Sequence, residues 1–196
     1  MLILASQSPR RREMFDRLAI DYIATSADTD ETVLDQVSPA EYVKILDKRK
    51  GEAVISAYTA KDFLISADTV VALGEEIFGK TTDANDAFRM LKAFSGNVHK
   101  VYTAFSICHG GRCYVEAVAT EVHFRTLTDR EITYYIEKEK PFDKAGAYGI
   151  QEMAGIFVEK INGSFDNVVG LPLTAVELAL QREFSTSLFD FAKDKR

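Results

Sequence analysis

The sequence predicts an α/β fold, and three observations predict it. Short apolar runs alternate with capped, helix-like segments along the chain. The run "FLISADTVVAL" (Phe63 to Leu73) is the most strand-like stretch. The segments "VYTAFSI" and "YVEAVATEVHF" flank "HGGR", which has the form of a hairpin turn. The 196 residues suit one domain, or one domain with two lobes. With 46% hydrophobic and 28% charged residues, the composition is that of an ordinary globular chain with material for a core.

Taken in order, "LILA" (Leu2 to Ala5) reads as a buried strand, and Ser8-Pro9 opens a helix with Ser8 as N-cap. Met14, Phe15 and Leu18 give that helix its apolar face. "YIATSA" (Tyr22 to Ala27) is a second strand. "SPAE" (Ser38 to Glu41) is a capping box that starts a helix with Tyr42, Val43, Ile45, Leu46, Ala53 and Val54 on one side. Asp83 caps a helix through Ala87, Met90 and Leu91, and "TDRE" (Thr128 to Glu131) is a second capping box before Ile132, Tyr135 and Ile136. "IFVEKI" reads as a strand and Thr174 to Phe184 as a final helix.

The formal net charge of -6 argues against broad nucleic-acid binding, which needs a basic face, but leaves room for a small basic pocket. No apolar stretch approaches the roughly 20 residues of a membrane span. "MLILA" is too short for a signal peptide and lacks its basic leader. Two cysteines in such a chain do not make a disulfide framework, and a cytoplasmic location is expected.

One pattern invites a wrong reading. "GEEIFGKT" (Gly74 to Thr81) fits the phosphate-loop pattern G-x-x-x-x-G-K-S/T letter for letter. Glu75 and Glu76 would set two negative charges where backbone amides must wrap a polyanion, and Ile77 and Phe78 are bulky where small residues belong. A turn at "GEE" followed by a short strand is expected instead. "CHGGRC" (Cys108 to Cys113) with His109 lacks a fourth zinc ligand and reads as a hairpin tip.

What remains is a constellation of acids and bases. Asp68 stands at the polar end of an apolar strand, where a carboxylate must be solvated, capped or used. Asp30 and Glu31 follow the second strand, Lys50 lies on the second helix, and Lys144 sits in "DKAGAYGIQ". Together they supply carboxylates for a divalent cation and a base, and cations for phosphates. Ser8-Pro9 turns the free amides of a helix start toward an anion, and arginines beside it add bidentate donors. Three consecutive helical residues fan over about 200°. Arg10, Arg11 and Arg12 therefore cannot all face one pocket.

The chain resembles the Maf family, the septum-formation-inhibitor-like nucleotide pyrophosphatases. The resemblance rests on "LASQSPRR", Glu31, Lys50 in "KRKGEAV", "SADTVV", Gly79-Lys80, "DAFRML", "SGNVHKVYTA", "DKAGAYGIQ" and "NVVGLPL", in that order from Leu4 to Leu173. It implies a single Maf-like domain over residues 1–196 with the Maf/ITPase-like fold. That fold is an elongated mixed β-sheet flanked by helices, with two lobes around a central cleft. The activity implied is hydrolysis of a nucleoside triphosphate to the monophosphate and pyrophosphate with Mg²⁺, or Mn²⁺ as the alternative metal.

Residue by residue, the resemblance gives Glu31 and Asp68 to the metal and Asp68 to the proton of the attacking water. It gives Lys50, Lys80, Arg10 and Arg11 to the phosphates, with Arg12 left to solvent. Ser8, Arg10, Thr69, Lys144 and Gln151 contact the substrate, and Arg10, Thr69 and Gln151 set its selectivity. The motif "DKAGAYGIQ" is closer to the dTTP/UTP group than to the N7-methyl-GTP group. The Gln151 amide can match the donor and acceptors of a uracil or thymine edge. The chain departs from the family at Thr81, where proline is usual, and at Glu152, where glycine is frequent. A nucleoside triphosphate is the partner expected, with no nucleic acid or membrane, and a homodimer is the candidate assembly. The alternatives are N7-methyl-GTP hydrolysis, a phosphate-loop NTPase releasing orthophosphate, and a noncatalytic nucleotide-binding regulator of cell division.

Overall fold

Strands β1 (Leu2–Ala5), β2 (Tyr22–Thr25), β3 (Phe63–Leu73), β4 (Glu76–Phe78), β5 (Val98–His109), β6 (Arg112–Phe124) and β7 (Val158–Asn162) form one sheet in the computed structural model. The structure describes residues 1–26, 29 and 37–193. The strand order is β2-β1-β3-β5-β6-β7, with β4 paired to β3. The sheet is mixed: β1 runs parallel to β2 and β3, whereas β4 is antiparallel to β3 and β7 antiparallel to β6. The helices are α1 (Pro9–Arg17), α2 (Pro39–Ile55), α3 (Ala84–Phe94), α4 (Asp129–Glu139), α5 (Phe165–Val169) and α6 (Leu173–Phe184).

The chain divides into two compact units. The first comprises Met1–Asp68, Thr103–Val118 and Gly170–Arg196, and the second Thr69–Tyr102 and Ala119–Val169. In the first unit, β1 is fully buried, and Ile3 and Ala5 pack with Val54, Leu64 and Cys108. A separate ring cluster sets Phe63 flat on His109, centroids 3.8 Å apart, with Phe184 and Phe191 edge-on. The second unit is built on aromatic packing: Phe94 meets Phe78, His99, Phe124 and Tyr148. Burial of such rings is the largest apolar gain a side chain offers, with edge-on geometry adding to it.

Most boundaries follow the local chemistry. Ser38 accepts the Glu41 amide at the start of α2, and Asp83 accepts the Asn85 amide at the start of α3. At α4 the full capping box closes, Thr128 with Glu131. The box expected at α2 is half made, because the Glu41 carboxylate pairs with Lys44 at 2.8 Å instead. The stripe that α2 buries is Pro39, Val43, Leu46, Asp47, Gly51 and Val54, whereas Ala53 is exposed. "IFVEKI" begins as a 3-10 turn, Met153–Phe157, before β7.

The phosphate-loop pattern does not form a phosphate loop. Gly74-Glu75 is a turn, β4 occupies Glu76–Phe78 antiparallel to β3, and Phe78 is buried. The hairpin at Gly110-Gly111 forms as expected, both glycines at positive φ. The cysteines correct the sequence reading: Cys108 and Cys113 are joined, with Cα atoms 4.1 Å apart. A two-residue turn sets residues two steps out on either side directly opposite, in the close-spaced kind of strand pair. That placement brings the sulfurs together, which the compartment argument did not weigh.

Candidate active site

In the first unit the site grows from the end of β1. Ala5 is the last paired residue and sits opposite Ser66 of β3. Beyond it the chain turns into α1, while β3 runs on to Asp68. In parallel sheets this carboxyl end of the strands is where ligands gather. Buried Ser6 organises the turn: its hydroxyl accepts the Ser8 amide and Arg11 Nη1, both at 3.2 Å. Ser8 is the N-cap by backbone geometry, but its side chain makes no cap bond.

Of the three arginines, Arg11 points inward and is 8% exposed. Its Nε donates to the Gly170 carbonyl at 2.6 Å, which ties α1 to the "NVVGLPL" motif. Burial pulls the Arg11 guanidinium below its ordinary value, opposed by Asp68 and Asp47 and seconded by Arg10. Arg10 is half-buried. Arg12 is not the plain solvated residue expected: it is also half-buried, and Nη2 donates to the Ser6 carbonyl at 3.4 Å.

Lys50 reaches from α2 to Asp68 of β3, Nζ to Oδ1 2.6 Å, with side chains 19% and 10% exposed. The sequence-predicted Arg11, Lys50 and Asp68 thus form one charged cluster in this unit. Glu31, the other metal residue expected, and Asp30 lie outside the described residues.

The second unit carries the remaining candidates. Lys80 is exposed and Thr69 half-buried. The Gly79 carbonyl accepts the Gly146 amide at 3.0 Å, so the Gly79-Lys80 stretch is tied to the "DKAGAYGIQ" segment. Gly146 has φ +67, and a Cβ there would stand 2.9 Å from Val71 Cγ2, so only glycine fits. Lys144 is buried, its Nζ held by Asp143 at 2.9 Å and Glu152 at 3.2 Å. Glu152, a position of departure from the family pattern, therefore has a definite role: it clamps Lys144. Tyr148, in the same segment, shares a 2.8 Å hydrogen bond with His99 Nε2. Burial, seconded by His123, pushes the His99 imidazole down to about 3, so it is neutral at physiological pH. Gln151 ends the segment exposed.

Sequence reasoning missed four residues here. Ser6 and Gly170 hold Arg11, His99 holds Tyr148, and Asp47 lies fully buried on α2.

Among the described residues no group of three or more His, Cys, Asp or Glu is arranged to hold a metal ion. No helix among them is long and apolar enough to cross a membrane.

The family and sequence comparisons agree with one another. A family model described as Maf-like protein matches residues 1–183. A protein of Chromobacterium violaceum named dTTP/UTP pyrophosphatase is 45% identical over 183 residues, covering 91% of this chain and 92% of its own. One of the same name from Anaeromyxobacter dehalogenans is 46% identical, covering 92% and 93%. Another so named, from Thermococcus kodakarensis, is 44% identical, covering 90% and 93%.

Proposed function

The chain belongs to the Maf-like family, and from that premise we propose that it hydrolyses dTTP and UTP to the monophosphate and pyrophosphate. What carries the reading is the end-to-end similarity to proteins named for that activity, at 45 and 46% identity. The Arg11–Lys50–Asp68 cluster is the chemistry such an activity needs.

In the proposed reaction a water oxygen bonds to the α-phosphorus and the α–β bridging bond breaks. The water proton passes to Asp68, and pyrophosphate leaves. A triphosphate carries roughly four negative charges. Arg11, oriented by Gly170 and Ser6, offers fixed donors to it. Lys50 and Lys80 offset the charge that grows on the leaving group. Lys50 also holds the Asp68 carboxylate in place.

The donor set suits Mg²⁺. Asp68 is a hard oxygen ligand, and this ion is commonly held by one or two carboxylates together with substrate phosphates. Glu31 and Asp68 would hold it, and when bound it supplies charge neutralisation and a more acidic water. Base selection is assigned to Gln151 with Arg10 and Thr69. Lys144, already engaged by Asp143 and Glu152, is assigned to fix the segment that carries Gln151.

The test is product identification with Mg²⁺ and a panel of UTP, dTTP, ATP, GTP and N7-methyl-GTP. UTP should yield UMP and pyrophosphate; UDP and orthophosphate would overturn the reading. kcat/KM for dTTP and UTP should exceed the purines by about tenfold or more, since a mispaired amide costs about 1–3 kcal/mol. Gln151→Ala should narrow that gap. Asp68→Asn should lower kcat by about 10²-fold or more, the lower end for a lost general base. A preference for N7-methyl-GTP would defeat the base assignment alone.

A further inference from the structure

Behind Lys50 and Asp68, within the first unit, lies a buried polar layer that the reaction as described does not use. Asp47 sits in the middle of α2 with its side chain fully buried. Ser106 of β5 donates its hydroxyl to Asp47 Oδ2, and the Ser66 hydroxyl lies 3.5 Å from the Asp47 carbonyl. Asp47 Oδ1 is buried and has no hydrogen-bond partner among the described residues. Buried carboxylates are costly, and each one left partly unsatisfied calls for a reason.

The surroundings are shaped to hold this layer. Gly51 stands one turn beyond Asp47 on the same face, and a Cβ there would come within 3.0 Å of Ser66 Oγ. A helix of this length gives up stability for a central glycine. Here the glycine makes room for a hydroxyl. A leucine or alanine at position 47 would fill the stripe of Val43, Leu46 and Val54 with no such accommodation.

The layer is placed to act on the cluster. Asp47 and Lys50 are three residues apart on α2, and Ser66 and Asp68 two apart on β3, so each pair shares a face. Lys50 binds Asp68. Asp47 and Asp68 both exert their charge on the buried Arg11 guanidinium and repel one another. With Asp47 uncharged, Arg11 would have one fewer carboxylate to balance it, and Asp68 would be drawn toward it.

We propose that Asp47 is a positioning residue for the hydrolysis, a second counter-anion for Arg11 that leaves Asp68 on Lys50 and open to the attacking water. The inference rests on the assignment of Asp68 and Arg11 made above. It adds a residue that touches neither substrate nor metal.

The test measures kcat and KM for UTP, with melting temperatures, in the wild type, Asp47→Asn, Ser106→Ala and Asp68→Asn. For Asp47→Asn, kcat should fall about tenfold or more, the scale of a misplaced reacting group. KM should stay unchanged or fall, because Arg11 keeps its donors and loses a competing anion. Ser106→Ala keeps the charge but frees it to move, and should lower kcat by about threefold at unchanged KM. A merely structural role predicts another pattern, a lower melting temperature with kcat and KM of the folded fraction intact. Asp47→Asn with wild-type kcat, or with its whole loss in KM, overturns the inference while an inactive Asp68→Asn leaves the site reading standing. If Asp68→Asn is fully active, the site reading fails and this inference with it. If Asp47→Asn does not fold, Ser106→Ala decides: unchanged kcat overturns the proposal.

Discussion

The two units bury polar groups in different proportions. The first buries charge: Arg11, Asp47 and Asp68 are each less than a tenth exposed, and each faces a group of opposite or like sign. The second buries the cation Lys144, paired with Asp143 and Glu152, and a neutral base among rings, with His99 stacked on Phe94 at 4.3 Å and hydrogen-bonded to Tyr148. A polyphosphate is bound by fixed charges, whereas a base is selected by shape and by neutral donors and acceptors. The difference teaches that burial does not rank groups by polarity alone. A unit can keep several charges inside if they balance, and a titratable ring if it stays uncharged.

The two buried groups should respond to pH in opposite directions, and His99 gives the larger effect. Its imidazole is pushed from an ordinary 6.5 to about 3, so the unfolded chain takes up a proton before the folded one does. The stability is fully present above pH 6.5 and is lost as pH falls toward 3. The full loss is on the order of 5 kcal/mol. Denaturant titrations of wild type and His99→Gln at pH 7.5 and 4.5 check this. The variant keeps an amide for Tyr148 and lacks the titration, so its deficit should shrink as the pH drops. An equal deficit at both values would remove His99 from the comparison.

Asp47 works the other way. Burial pushes its carboxyl from 3.8 up to about 6, against the Ser106 hydrogen bond and the Arg11 charge. Here the folded chain holds the proton longer. Stability is greatest below pH 4 and falls as pH rises through 6, by about 3 kcal/mol in all. Relative to wild type, Asp47→Asn should therefore gain about that much between pH 4 and 7.5, whatever its fixed cost from repacking. Between pH 4 and 6 the two groups offset each other, and the wild-type curve should be flatter than that of either variant. Parallel curves for Asp47→Asn and wild type would show that this carboxyl does not titrate as its burial demands.

The second unit was the more legible in sequence. Its α3 and α4 announce themselves by Asp83 and by the Thr128–Glu131 box, and their apolar residues fall at helical spacing. β3 was legible to the residue because eight of its eleven residues are apolar, with β-branched Ile65, Thr69, Val70 and Val71 among the eleven. Asp47 was missed for a physical reason. An apolar stripe is found by scoring apolar residues, and a buried carboxylate is subtracted from that score. The usable signal was the pair Asp47 and Gly51 lying in the stripe, with Lys50 beside them. The Cys108–Cys113 bond was legible in their symmetric spacing about Gly110-Gly111, but expected compartment was weighed above geometry. Arg12 shows the limit of azimuth arguments: a long side chain on the wrong face still folds back to the Ser6 carbonyl.

The smallest expected effect tests the boundary of the charged unit's role. If phosphate chemistry belongs to Arg11, Lys50, Asp68 and Lys80, then Thr81, the residue that completes the accidental phosphate-loop pattern, has none. In a phosphate loop its hydroxyl would ligate the metal at the start of a helix. Here α3 begins at Ala84, capped by Asp83, and the Thr81 hydroxyl accepts the Asp83 amide at 3.1 Å. That bond is local, and removing it leaves one amide to find another partner, a cost of about 1 kcal/mol in stability. Thr81→Ala should accordingly lower the melting temperature slightly and leave kcat/KM for UTP within about twofold, since the lost bond touches no proposed catalytic group. A loss of activity comparable to that of Asp68→Asn would give Thr81 a part in the phosphate chemistry and revive the phosphate-loop reading.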